Sequence, residues 1–298
     1  MNSTSFAQII DSQWANVGDD LKVRRALPAP QRNSLGPWVF LDHFGPMSTD
    51  PRGQGVPPHP HAGIETVTYL LEGGMAHRDS AGHEGRVEAG GAQWMTSGRG
   101  IVHAERPFDP AATSSDQTQA NFILHGIQLW TSLPRALKMM APRYQQISAA
   151  DVPHRAKDGA TVRVIAGESD GRKGPADVLM PLFLWHVALE PGAQWQGQLP
   201  AAMEAGAYVM VGNVSVDGNE SPLRVGQLGI VGESADAASR SITIRNHGDA
   251  LAHIMLLGGA PVDGPLVFHG PFVMNSVEQI RTAEKAYMTG QMGALAEV

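Results

Sequence analysis

The sequence predicts an all-β protein of two successive antiparallel β units, closed by a short C-terminal helix. Short apolar runs bounded by turn residues recur at roughly 8–12-residue spacing, as in β sandwiches and barrels. Gly and Pro number 34 and 21 in 298 residues. That is well above their average combined share of roughly 12%, and it favours turns over long helices. No long helical segments alternate with the strands, so a parallel sheet would lack its crossovers.

The elements follow in order. Val39 to Phe44 is a short apolar run ending at Gly45-Pro46. Pro51 to Pro60 reads as a Gly/Pro-rich loop. Glu65 to Leu71 is β-rich and closes on the turn Glu72-Gly73-Gly74. Ala92 to Thr96 and Ile101 to Arg106 are strands separated by Ser97-Gly98-Arg99-Gly100, whose glycines serve positive φ. Phe108 to Ala120 reads as a polar surface loop, and Asn121 to Trp130 as a longer strand. Pro134 to Met140 reads as a short helix with proline at its start. Residues 142–161 are polar and turn-rich, and place the boundary between units at 1–150 and 151–298. Strands are then expected at Leu182 to Glu190, Ala207 to Val216, Leu223 to Val231, Ser241 to Asn246 and Ala252 to Leu257. Residues 276–292 read as a helix, with Ser276 as N-cap and Glu278 in the first turn. The two units share texture, not an exact repeat.

Composition removes several function classes. The net charge is -7 with no basic cluster, which argues against a nucleic-acid or membrane-surface binder. The chain has no Cys, so disulfides, zinc fingers, iron–sulfur clusters and thiol catalysis are excluded. No apolar run approaches the roughly 18 residues of a membrane span. The first residues, Met1 to Phe6, lack a basic and an apolar leader region. A cytoplasmic protein is expected, and the absence of Cys fits a reducing compartment.

The chemistry concentrates in His59-Pro60-His61 and, 42 positions later, His103-Ala104-Glu105. Residues i and i+2 of a strand share a face, so each pair can aim two ligand atoms at one point. Three imidazoles and a carboxylate suit a first-row transition metal, iron above all, and zinc, copper, nickel or manganese less specifically. Four protein ligands on an octahedral ion leave two positions open, as a reactive site requires. Other polar residues have blander readings. His77 and His83 read as structural or solvated, Trp94 and Met95 as core, and Arg99 as a turn residue. Gln128 could face the barrel interior or be an ordinary buried amide. His125 has the opposite strand parity, so at most one of the two faces the cavity. His186, His247, His253 and His269 stand alone in the second half, where no HxH or HxE pair occurs, so that unit is expected to be metal-free.

His59-Pro60-His61-Ala62-Gly63-Ile64-Glu65-Thr66-Val67-Thr68-Tyr69-Leu70-Leu71-Glu72-Gly73 resembles the first metal-binding motif of the pirins. These are a branch of the cupins with two jelly-roll barrels in one chain. Gln93 to Glu105, containing Ser97-Gly98-Arg99-Gly100 and His103-Ala104-Glu105, is similar to the second pirin motif. His269-Gly270-Pro271-Phe272-Val273-Met274-Asn275 looks like the C-terminal pirin signature. The resemblance implies two tandem jelly-roll barrels with the metal in the first. It places that metal on His59, His61, His103 and Glu105, and leaves Glu65 outside the ligand set, because pirins take their carboxylate from the HxE pair. It implies one divalent metal, Fe(II) first, with Mn, Co, Ni, Cu and Zn as alternatives. Some members act as quercetin 2,3-dioxygenases. That implies a flavonol-like substrate and O2, with Glu105 as the base. Others are metal-dependent partners of regulatory proteins or metabolic enzymes, so a redox-responsive binding protein is the alternative.

Overall fold

Strand periodicity explains most of the architecture. In Gln194–Pro200 and Glu84–Glu88 exposed and buried residues alternate strictly, as in a sheet with one face in a core. In Ala92–Thr96 every residue is buried, as is nearly every residue of Leu182–Leu189. A computed structural model describes residues 5–295, apart from 19–20, 51–52, 54, 113–120, 201, 218, 220 and 233–238. Parts of the two loops expected at 51–60 and 108–120 therefore lie outside the described residues. The described chain is all-β with one α-helix, Val277–Met288. Ser276 caps that helix, its side chain accepting from the Gln279 amide. No described helix is long and apolar enough to cross a membrane.

The chain forms two compact units. One comprises Met1–Gln13, Arg24–Phe40 and Asp151–Pro261, and the other Trp14–Val23, Leu41–Ala150 and Val262–Val298. A single cut at residue 150 therefore misplaces both termini. In the first unit the N-terminal strand Phe6–Asp11 pairs antiparallel with Gln227–Val231. The core of this unit is Phe183, Trp185, Val187 and Leu189 packed with Trp195, Leu199, Ile242, Ile244, Ile254 and Leu256. The C-terminal helix, expected with the second half, belongs to the other unit. Its Ile280 and Ala283 cluster with Ala62, Val102, Phe272 and Met274.

That other unit carries the paired motifs, and among its described residues it holds the small hairpin Val267–His269 with Phe272–Met274 and two large sheets. One runs Val56–His61, Ile101–Phe108, Gly74–Asp79, Glu84–Glu88. The second is centred on Ala92–Thr96, Ile64–Glu72 and Phe122–Ser132, with Arg143–Ile147 at one edge. Val23, Phe44, Leu70, Met75, Val87 and Leu124 form an apolar cluster in this unit. Lys138 is fully buried, and its Nζ donates to Gly63 O, Val273 O and Ser132 Oγ at 2.7–2.8 Å. Burial pulls its ammonium down to about 7, against a pull upward from Asp263. Three acceptors match the three hydrogens of the charged form. The side chain thus ties the C-terminal segment at Val273 to the turn after the first histidine pair.

Several expectations need correction. The Gly/Pro-rich stretch leading to His61 is a strand from Val56 onward. Among the described residues it lies at a sheet edge and pairs with Ile101–Phe108 on one side, a position that tolerates Pro57, Pro58 and Pro60. The expected helix after Pro134 is one 3-10 turn, Arg135–Leu137. The turn-rich segment 142–161 contains the strands Arg143–Ile147 and His154–Lys157. Ala92–Thr96, distant in sequence, pairs with the first, and Ala160–Ala166 forms a local hairpin with the second. Ala207 to Val216 is two strands broken at Gly212, whose φ is 84°. Gly98 and Gly100 do adopt positive φ, 52° and 135°.

Candidate metal centre

The edge strand Val56–His61 and its neighbour Ile101–Phe108 pair with His59 opposite His103 and Ile101 opposite His61. On the other side of Ile101–Phe108, His103 lies opposite Asp79 and Glu105 opposite His77. Directly opposed residues share a face. One sheet face therefore displays His59, His61, His103, Glu105, His77 and Asp79 together.

The three motif histidines converge. Ligand atoms of His59, His61 and His103 all lie within 4.8 Å of one another. His103 Nε2 is 2.9 Å from His59 Nε2. His59 Nδ1 bonds Pro57 O at 2.9 Å, and His61 Nδ1 bonds Pro271 O at 3.1 Å. A carbonyl only accepts, so in both rings Nδ1 carries the hydrogen and Nε2 keeps its lone pair. Lone pairs aimed at one point repel unless a cation shares them, and this donor set fits a first-row transition metal. Burial, reinforced by the charge of His59, pulls His61 down to about 3 despite its bond to Pro271. Burial and the neighbouring His59, His61 and His77 hold His103 well below the ordinary imidazole range. Both rings are thus kept neutral, the state a metal needs.

Glu105 does not join that trio directly. It groups instead with His77 and His103, again within 4.8 Å. Its carboxylate accepts from Gln93 Nε2 at 2.5 Å, Gln128 Nε2 at 2.8 Å and Thr68 Oγ1 at 3.2 Å. Gln93, Thr68 and Gln128 sit side by side across three adjacent strands of the facing sheet. Strand parity sends Glu65 to the face opposite Thr68. There it accepts from Thr96 at 2.7 Å and Thr131 at 3.4 Å. Burial raises the Glu65 carboxyl, partly offset by Thr96, Trp94 and Arg143.

His77 and Tyr144 also belong to the site. Of the two readings of His77, structural or solvated, the buried one holds. His77 stacks on Tyr144 with ring centroids 4.5 Å apart, and its Nδ1 is 3.4 Å from His103 Nδ1. The signal was present: His77-Arg78-Asp79 has the same i, i+2 spacing as the two recognised pairs. Tyr144 lies in the stretch read as a boundary. It reaches the site because Gly85, opposite His77, has no Cβ to fill the space its hydroxyl occupies. Burial, with Glu105 and Asp79 nearby, raises its phenol. Of the residues left open, Gln128 faces the site. His125 instead bonds His43, Nε2 to Nε2, at 2.8 Å. Trp94 and Met95 are core, as expected. His186 and His253, alone in sequence, bond each other at 2.8 Å across adjacent strands.

The buried neutral histidines give a pH dependence. Between pH 6.5 and about 3 the unfolded chain takes up a proton at residue 61 that the folded chain does not. Folding stability then falls with falling pH, by up to about 1.4 kcal/mol per pH unit for this one group. Burial shifts His103, His125 and His186 in the same direction. Metal-free protein should therefore show urea midpoints that decline from pH 7 to pH 5, with a shallower decline in His61→Asn. A flat profile in the wild type would reject buried neutral imidazoles here.

Comparison with known proteins agrees with this geometry. Residues 20–131 match the pirin family model, and residues 184–293 match the pirin C-terminal cupin domain. Human pirin is 36% identical over 277 residues, covering 91% of this chain and 88% of that protein. A pirin-like protein of Solanum lycopersicum is 35% identical over 278 residues, covering 93% and 89%. A crystal structure of quercetin 2,3-dioxygenase from Acinetobacter baumannii superposes with a TM-score of 0.87 at 30% identity, covering 99% of this chain and 100% of that one. With both family domains matched in order, and whole-length relatives of both the pirin name and the pirin fold, the chain belongs to the pirin family.

Proposed function

We propose that this protein is a metal-dependent dioxygenase that opens the heterocycle of flavonols such as quercetin. The observation that carries the reading is the convergence of His59, His61 and His103, with the Nδ1 hydrogens of His59 and His61 held by carbonyls. The likeness to a quercetin 2,3-dioxygenase structure supports the choice of substrate. His59, His61 and His103 would hold the metal, with Glu105 as fourth ligand. Fe(II) is the first assignment, and Mn, Co, Ni, Cu or Zn the alternatives. When bound, the metal supplies a Lewis acid and a template for the flavonol hydroxyl and its neighbouring carbonyl.

The chain's own residues supply the rest. Glu105 accepts the 3-hydroxyl proton at a carboxylate oxygen, which leaves the flavonol electron-rich for attack by O2 and loss of carbon monoxide. Gln93, Gln128 and Thr68 aim that carboxylate. Trp130 packs edge-on against His61 with ring centroids 4.8 Å apart, adding an apolar wall suited to a flat aromatic ligand. His59 is only half-buried, whereas His61 and His103 are buried, so the approach from solvent lies on its side. The test is carbon monoxide release and loss of flavonol absorbance, with metal content measured on every sample. Turnover that tracks metal content is expected. No turnover in protein fully loaded with iron, manganese, cobalt, nickel or copper would overturn the reading in favour of a metal-responsive binding protein.

A further inference from the structure

We propose that His77 and Asp79 are positioning residues for the metal centre, fixing the tautomer of His103 through a carboxylate–imidazole–imidazole chain. The proposal rests on the metal-centre reading above. Asp79 is buried, and both its oxygens are committed. Oδ1 accepts from the backbone amides of Ala81 and His83 at 2.9 and 3.1 Å. Oδ2 lies 3.2 Å from His77 Nε2 and 2.9 Å from His83 Nδ1. A carboxylate in this setting accepts, so the His77 proton sits on Nε2 and its Nδ1 presents a lone pair. That lone pair faces His103 Nδ1 at 3.4 Å. The contact is favourable only if His103 carries its own proton on Nδ1. His103 Nε2, beside His59 Nε2, is then left as the ligand atom.

All three histidines therefore have an acceptor at Nδ1, but not of one kind. For His59 and His61 it is a backbone carbonyl, which the main chain of any residue provides. For His103 it is an imidazole whose orientation depends on Asp79. A histidine ligand whose far nitrogen donates to such a partner binds metal more tightly, and loss of the partner costs about 10–100-fold in affinity. Tyr144 stacks on His77 at 4.5 Å and 12° and keeps the ring from turning.

Asp79→Asn separates this role from packing. The amide keeps the shape, and its oxygen remains on the two backbone amides. Its nitrogen then donates toward His77 Nε2 and forces the His77 proton onto Nδ1, hydrogen against hydrogen with His103. Metal-free protein titrated with cobalt(II), followed by its visible absorption, should show affinity weakened about 10–100-fold. His77→Gln, which can still offer an acceptor, should bind cobalt more tightly than His77→Phe, which keeps the flat ring on Tyr144 but offers none. A purely structural role predicts the reverse order. Far-UV circular dichroism and urea midpoints confirm folding. His59→Ala is the control for the underlying reading: unchanged cobalt binding in that variant would sink the metal centre itself. Cobalt binding lost in His59→Ala but unchanged in Asp79→Asn, or tighter in His77→Phe than in His77→Gln, would overturn this inference alone.

Discussion

A His61→Ala, His103→Ala double variant is expected to lose its metal. Altering a residue that merely orients a ligand costs about 10–100-fold in affinity, so deleting two of three converging imidazoles should cost more than that. The remaining groups, His59 and Glu105, do not fall within one ligand cluster by themselves. Metal per chain, measured on protein purified and reconstituted alongside wild type, should fall to roughly a hundredth or less at metal concentrations near the wild-type Kd. Glu65→Gln is the matched control. It alters another buried carboxylate, but that group bonds Thr96 and Thr131 on the opposite strand face. Metal content in Glu65→Gln should stay near wild type. Full loading of the double variant, or loss of metal in Glu65→Gln, would place the ion elsewhere.

Glu105→Gln should slow quercetin turnover by about 10²–10⁴-fold, the usual worth of a positioned general base. Gln preserves size and its one remaining oxygen accepts from only part of the donor set that holds the carboxylate, and it cannot take a proton from the flavonol hydroxyl. The substitution also removes an anionic ligand, so metal content must be matched before rates are compared. With matched metal, a loss confined to kcat and absent from KM marks proton transfer. Unchanged kcat at full occupancy would remove Glu105 from the base role while leaving the metal centre intact.

The paired motif residues that cluster in the site were legible in the sequence because strand parity is a local property. His59 and His61, or His103 and Glu105, share a face in any strand that contains them. The helix was equally local, since Ser276 and Glu278 mark its start. The same parity rule placed Glu65 away from the site. The same rule puts His77 and Asp79 on one face, but two such residues acquire meaning only from the strand beside them. That neighbour is Ile101–Phe108, whose register sets His77 opposite Glu105 and Asp79 opposite His103. The Gln93–Thr68–Gln128 row and the approach of Tyr144 over Gly85 likewise depend on which strands pair, and so does the assignment of the C-terminal helix to the unit carrying the metal motifs. The sequence by itself determined an all-β chain of two units, the residue types of the candidate site and the face each pair occupies, because these follow from the dihedral period of a strand. Tertiary structure alone decided which pairs meet, which nitrogens of His59 and His61 bond carbonyls, and which donors hold Glu105, because register between strands distant in sequence is set by the packing of the whole sheet.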